Sequence, residues 1–225
     1  MIDSLMKHYD KMPVMQSLIE LICPPFSLLN TILSKKMKKI EEKRIKDLFD
    51  NLSKGEHRLT PELISSDEFL HCFFITYEAT LKTNRSEKIS AFAKLLISCT
   101  TEKISNIDEF EDYFKIIEEL SWREIKILII LNEFEEPKRN TYTKPDEIDG
   151  YNIAESFWNE FIKKASLEAN IPENELRGML MRLARSGCYE IFTLGGFGGA
   201  SNTNNIGQTT HLFKKLKAIA LNELK

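Results

Sequence analysis

The stretch PENELRGMLMRLARSGCYEIFTL, residues 172–194, changes its period part-way, and that change decides the fold class. Up to residue 185 its apolar members, Leu176, Leu180, Leu183 and Ala184, recur every three or four positions, the spacing of one helix face. Pro172 suits a first turn, where its missing N–H costs nothing, and Gly187 suits the C′ position that closes a helix. From Cys188 to Leu194 the side chains alternate in type, as a strand's do. A glycine- and asparagine-rich loop follows, then GQTTHLF at 207–213 as the returning strand, then a helical tail over 214–224.

Working upstream, Ser121 with Glu124 three residues on forms a capping box that opens another helix. PKRNTYTKPDEIDG, residues 137–150, holds two prolines and ends in Asp-Gly, so it reads as a polar loop. A helix over 151–168 follows. The order is then helix, helix, helix, strand, loop, strand, helix, which is that of a winged-helix module, here spanning 121–225.

Residues 1–120 read differently. Of nine glycines only Gly55 precedes residue 150, and no proline occurs between Pro61 and Pro137, so the punctuation that hairpins need is missing. Helices are expected over 3–22, 26–54 and 67–82, the first ending near Pro24-Pro25, with two more opening after Asn84 and at Asn106. Ser65-Ser66-Asp67 is a capping context, and Phe69, Leu70, Phe73, Phe74, Tyr77 and Leu81 give the helix behind it a broad apolar face. The expected architecture is mainly α: a helical bundle over 1–120, then a winged-helix-like α+β module with a short β-hairpin.

The chain has 225 residues, 42% hydrophobic and 29% charged, with a formal charge of −3. These are globular values and exclude a disordered or collagen-like chain. The net charge offers nucleic acid or anionic lipid no overall attraction, so any such contact needs a local patch. The amino terminus lacks the basic-then-apolar order of a secretion signal, and Glu20 with Pro24-Pro25 interrupts the apolar run from Met12 to Ser34. Cys23, Cys72, Cys99 and Cys188 form no CxxC pair. Free buried thiols and a cytoplasmic, reducing setting are therefore expected.

Several chemistries lack their residues. LGGFGGASNTNNIG, 194–207, has glycines but no lysine to reach a phosphate and no helix opening within the loop. His8, His57, His71 and His211 show no ligand spacing, and Cys72 and Cys99 sit on apolar helix faces, where burial suppresses thiol reactivity. The carboxylates between Glu102 and Glu119 read as a solvated acidic face. No catalytic, cofactor-binding or metal-ligating residue and no small-molecule substrate is predicted, and the chain reads as non-enzymatic.

Two charged surfaces remain. Arg177, Arg182 and Arg185 lie away from the apolar side of the 173–186 helix and are the candidates for nucleic-acid contact by a DNA-binding regulator. Against that, Glu173 and Glu175 occupy the helix start, and 195–210 contains no lysine or arginine to meet phosphate. Lys35, Lys36, Lys38, Lys39, Lys43, Arg44 and Lys46 follow the apolar run and are the candidates for contact with a partner or a membrane surface, over residues 12–46 in the membrane case. A protein partner or a homo-oligomer is the leading expectation.

Three strings carry a family resemblance: SSDEFLHCFFITYEATLKTNRSEKISAFAKLLISCT at 65–100, EELSWREIKILIIL at 118–131, and LRGMLMRLARSGCYEIFTLGG at 176–196. Together they make roughly residues 13–212 resemble the helical bacterial proteins grouped as the abortive-infection alpha family. The resemblance implies a cytoplasmic, non-enzymatic protein of phage defence that acts through partner or membrane contact, and it brings no catalytic residues with it.

Overall fold

The computed structural model describes residues 2–21, 32–55, 59–99, 104, 106–139, 150–192 and 205–222. The protein is mainly helical, with one two-stranded antiparallel sheet among the described residues. It divides into two compact units, one of residues 1–118 with 219–225, the other of 119–218.

In the first unit the helix expected over 3–22 is two helices, α1 (Ile2–His8) and α2 (Pro13–Leu21). Pro13 is the cause, because it has no N–H to carry the ladder forward and so begins a helix instead. Helix α3 (Ile32–Ser53) is followed by a short helix α4 (Pro61–Ile64), whose start is capped by the Thr60 hydroxyl accepting the Leu63 N–H. Helix α5 (Asp67–Lys82) opens at Ser66, whose Oγ accepts the Phe69 N–H at 3.2 Å. Helix α6 (Ser86–Ser98) is buried on nearly every side, with Ile89, Ala91, Phe92, Ala93, Leu95, Leu96 and Ile97 all inside. Helix α7 (Ile107–Glu119) begins where Asn106 Oδ1 accepts the Glu109 N–H at 2.8 Å.

The core of this unit is aromatic. Phe49 of α3 lies edge-on to Phe73 of α5 with ring centroids 6.4 Å apart, and Phe92 of α6 stacks on Phe114 of α7 at 4.9 Å. Each such fully buried side chain contributes about 1.5–3 kcal/mol through the water it sheds. Lys88 is buried yet satisfied, because its ammonium donates to the Glu118 carbonyl at the end of α7, where the helix dipole favours a cation.

The second unit is built on α8 (Trp122–Arg139), with α9 (Gly150–Ala169) against it and Phe134 stacked on Phe157 at 5.5 Å. The loop expected from 137 is shorter at its start. Helix α8 runs through Pro137 and ends two residues later, since proline deletes only the bond its own nitrogen would make in the last turn. The remainder of that loop, 140–149, lies outside the described residues. Asn170, at φ 52°, makes the tight turn from α9 into α10 (Glu173–Arg185), which Gly187 closes at φ 75°.

Strands β1 (Tyr189–Ile191) and β2 (Gly207–Thr209) pair antiparallel in the register Tyr189↔Thr209, Glu190↔Gln208 and Ile191↔Gly207. The returning strand is shorter than expected because Thr210 turns the chain into helix α11 (His211–Leu216), its hydroxyl accepting the Phe213 N–H. A π-helical turn, Lys217–Leu221, follows. Gly207 has to be glycine, since a Cβ there would run into the Glu190 carbonyl oxygen and the Tyr189 ring. The glycine-rich loop, as well as Cys23, Pro24-Pro25 and His57, lies outside the described residues.

Candidate functional site

Helix α3 has two halves of different character. Its carboxyl-terminal half buries Ile45, Leu48, Phe49 and Leu52, each at 1% exposure or less, while residues 37–44 bury none of their side chains. Within that unburied half Met37 is 54% exposed and Ile40 49% exposed, and Lys38, Lys39 and Lys43 are exposed with them. At a hundred degrees per residue, Met37 and Ile40 lie about 60° apart, Lys39 and Lys43 about 40° apart, and Ile40 and Lys43 about 60° apart. An apolar flank and a basic flank thus run side by side along this part of the helix.

Not every predicted cation joins this surface. The Arg44 guanidinium donates to the Leu81 carbonyl at 2.5 Å near the end of α5, so part of its hydrogen-bonding capacity is spent inside the chain. Lys46 pairs with Asp50 one turn on, at 2.8 Å. Asp50 also accepts the Tyr9 hydroxyl at 2.6 Å. Burial works against the Asp50 carboxylate, but the hydrogen bonds from Lys46 and Tyr9 outweigh it and hold the group below its usual range. The side chains of Lys35 and Lys36 lie outside the described residues.

On α10, Arg177, Arg182 and Arg185 are all exposed, as are Glu173 and Glu175 at its start. Arg182, however, is committed. Its guanidinium meets Glu124 at 3.0 Å, and the Glu124 side chain is only 8% exposed. The same carboxylate accepts the Ser121 N–H at 2.8 Å and the Ser121 hydroxyl at 2.7 Å, completing the capping box of α8. Arg182 therefore joins α10 to the start of α8, with its side chain still 56% exposed.

A buried polar cluster was not anticipated. Glu135, 2% exposed, accepts the Thr209 N–H at 2.6 Å and the Thr209 hydroxyl at 2.5 Å, and Lys214 stands 3.4 Å away. Asn132, fully buried, donates to Thr209 Oγ1 at 3.3 Å and accepts from Lys217 at 2.6 Å. Burial, and after it the charge of Glu135, push the Tyr189 phenol up, and its hydroxyl donates to the Asn205 carbonyl. These groups bind β2 and α11 to α8. The signal was present in the sequence: Glu135 continues the Leu128, Leu131 stripe at helical spacing, and a carboxylate in such a stripe needs buried donors.

Cys72 and Cys99 are not merely core thiols on separate helix faces. Both line one cleft of about 140 Å³, together with Glu68, Phe69, Asn106 and Phe110. Next to Cys72 in the chain is His71, whose Nε2 lies 3.0 Å from Glu111. The interaction between the two thiol side chains holds Cys72 below its usual range, against burial and the charges of Glu111 and Glu68, and with burial drives Cys99 well above its own, while the Cys99 S–H donates to the Leu95 carbonyl at 3.7 Å.

Among the described residues, no helix is long and apolar enough to cross a membrane. Comparison of this chain with models of protein families, with curated proteins and with solved structures found no match.

Proposed function

We propose that this chain is a non-enzymatic interaction protein that docks a protein partner through the amino-terminal half of α3. The observation that carries this reading is the half-exposed pair Met37 and Ile40, set beside exposed lysines on a stretch of helix with no buried side chain. Apolar side chains at one-turn spacing are the anchors by which a helix is held in a groove, and lysines at their edge select an acidic rim. The expected partner therefore presents an apolar groove bordered by carboxylates. The bacterial cytoplasm and phage defence, implied by the family resemblance, are the setting we assign.

We read the second unit, whose order is three helices, a two-stranded hairpin and a helix, as a winged-helix-like module used for protein contact. The pairing of Arg182 with a buried carboxylate supports this reading over DNA binding, as do the acidic residues at the start of α10.

The test is a double substitution, Met37→Asp with Ile40→Asp, beside a charge reversal, Lys39→Glu with Lys43→Glu. Far-UV circular dichroism and melting temperature should stay close to those of the parent protein, since none of these side chains is buried. Stoichiometric recovery of a partner from the native cells should be lost with the first pair and become weak and salt-insensitive with the second. Unchanged recovery with both variants removes α3 from the account. Flotation on anionic vesicles that the same variants abolish would transfer this surface from a protein to a lipid partner.

A further inference from the structure

We infer that Cys72 and Cys99 are a reversible dithiol–disulfide couple, oxidised in their shared cleft by a hydroperoxide. The hairpin of α5 and α6 produces the pairing. Cys72 lies ten residues before the end of α5 and Cys99 follows the last residue of α6, thirteen after Ser86, so each is about 15–20 Å from the turn on neighbouring helices. Both side chains line the same cleft. Its volume of about 140 Å³ is several times the roughly 30 Å³ that one water occupies in the liquid, enough for a small peroxide.

The two thiols differ in the way the chemistry needs. The interaction between the two side chains lowers Cys72 and raises Cys99, and the Cys99 S–H donates to the Leu95 carbonyl at 3.7 Å, so the thiolate is favoured on Cys72 and the proton stays on Cys99. In the first step the Cys72 thiolate attacks the terminal oxygen of the hydroperoxide. A sulfur–oxygen bond forms, the oxygen–oxygen bond breaks, and the alkoxide leaves as an alcohol after taking up the proton that Cys72 had lost. Cys72 is then a sulfenic acid. In the second step the Cys99 sulfur attacks the Cys72 sulfur, the disulfide forms, and hydroxide leaves with the Cys99 proton as water. Two thiols have given two electrons to one peroxide, and two equivalents of free thiol, or one dithiol, restore them by exchange through a mixed disulfide, themselves leaving as a disulfide. Cys188, buried in the other unit with its thiol pushed up by burial, has no such neighbour among the described cysteines and serves as the internal reference.

The experiment uses the full, reduced chain. It is exposed to hydrogen peroxide at a level that consumes glutathione completely, blocked with an alkylating reagent, digested and mapped by mass spectrometry. The expected result is a Cys72–Cys99 cross-linked peptide, loss of alkylation at both positions, full recovery after dithiothreitol, and alkylation of Cys188 unchanged. Cys99→Ala should leave Cys72 as a sulfenic acid that dimedone captures, and Cys72→Ala should give neither product. Absence of the cross-link in the parent protein under these conditions overturns the inference. So does a disulfide map dominated by Cys23 or Cys188. Both of these results are read on the parent protein, so they stand whether or not the alanine variants fold.

Discussion

Asp50 and Glu135 show how a single carboxylate is held, and each makes its own prediction. The folded Asp50 has a lowered pKa, so the unfolded chain binds its proton more readily. Its contribution to stability is present above the unfolded carboxylate value, near about 3.9, and is lost as pH falls through the lower folded value. Melting temperatures from pH 5 downward should fall less steeply for Asp50→Asn than for the parent protein, and equal slopes would remove this coupling. Glu135→Ala should be far more damaging, because it leaves the Thr209 N–H without its acceptor and takes from Lys214 the anion beside it. A loss of about 1–3 kcal/mol, the cost of a buried donor left unsatisfied, is expected from the denaturant midpoint. Glu135→Gln keeps one acceptor oxygen and should cost less. At this scale the sequence was legible where a residue acts on its own turn, as Ser121 and Glu124 do, and as Gly187 does with its positive φ. It was opaque where partners are far apart in the chain. Arg44 finds the Leu81 carbonyl and Cys72 finds Cys99 only after helices have packed, and no local pattern encodes that packing.

Among the elements, α8 shows how one terminus does two jobs. Glu124 caps its own helix and receives Arg182 from α10. Ser121→Ala should cost about 1 kcal/mol, the ordinary value of an N-cap. A double-mutant cycle on Glu124 and Arg182 should give a coupling of about 0.5–1 kcal/mol, kept modest because Arg182 is half-exposed and screened by water. An Arg182 variant that melts at the parental temperature but loses duplex binding would contradict the structural role given to it here. Most helices of the first 120 residues were legible from apolar spacing and caps, α5, α6 and α7 above all. Proline was the misleading residue. Pro13 starts a helix where one continuous helix was expected, and Pro137 sits within a last turn where a loop was expected, because proline's effect depends on which turn it occupies. The short α4 offered too few residues for any period to show.

For the whole molecule, a helical first part and a last part combining helices with a hairpin were legible because glycine and proline punctuate the two so differently. The candidate surface on α3 was legible only as a run of lysines. Burial and pairing separated Arg44 and Lys46, which serve the chain's own packing, from Lys38, Lys39 and Lys43, and added Met37 and Ile40, which charge alone would not have singled out. Residues 37–43 bury no side chain and have little tertiary packing to sustain them, so binding should order or protect them. Hydrogen exchange should be fast there in the free protein, slow once the partner is bound, and unchanged around α8. The most direct measurement is an affinity purification of the tagged chain from its native cells after nuclease treatment, comparing the parent with Met37→Asp/Ile40→Asp. The account predicts a stoichiometric protein partner with the parent and none with the folded variant. Equal recovery of that partner with both proteins would contradict it.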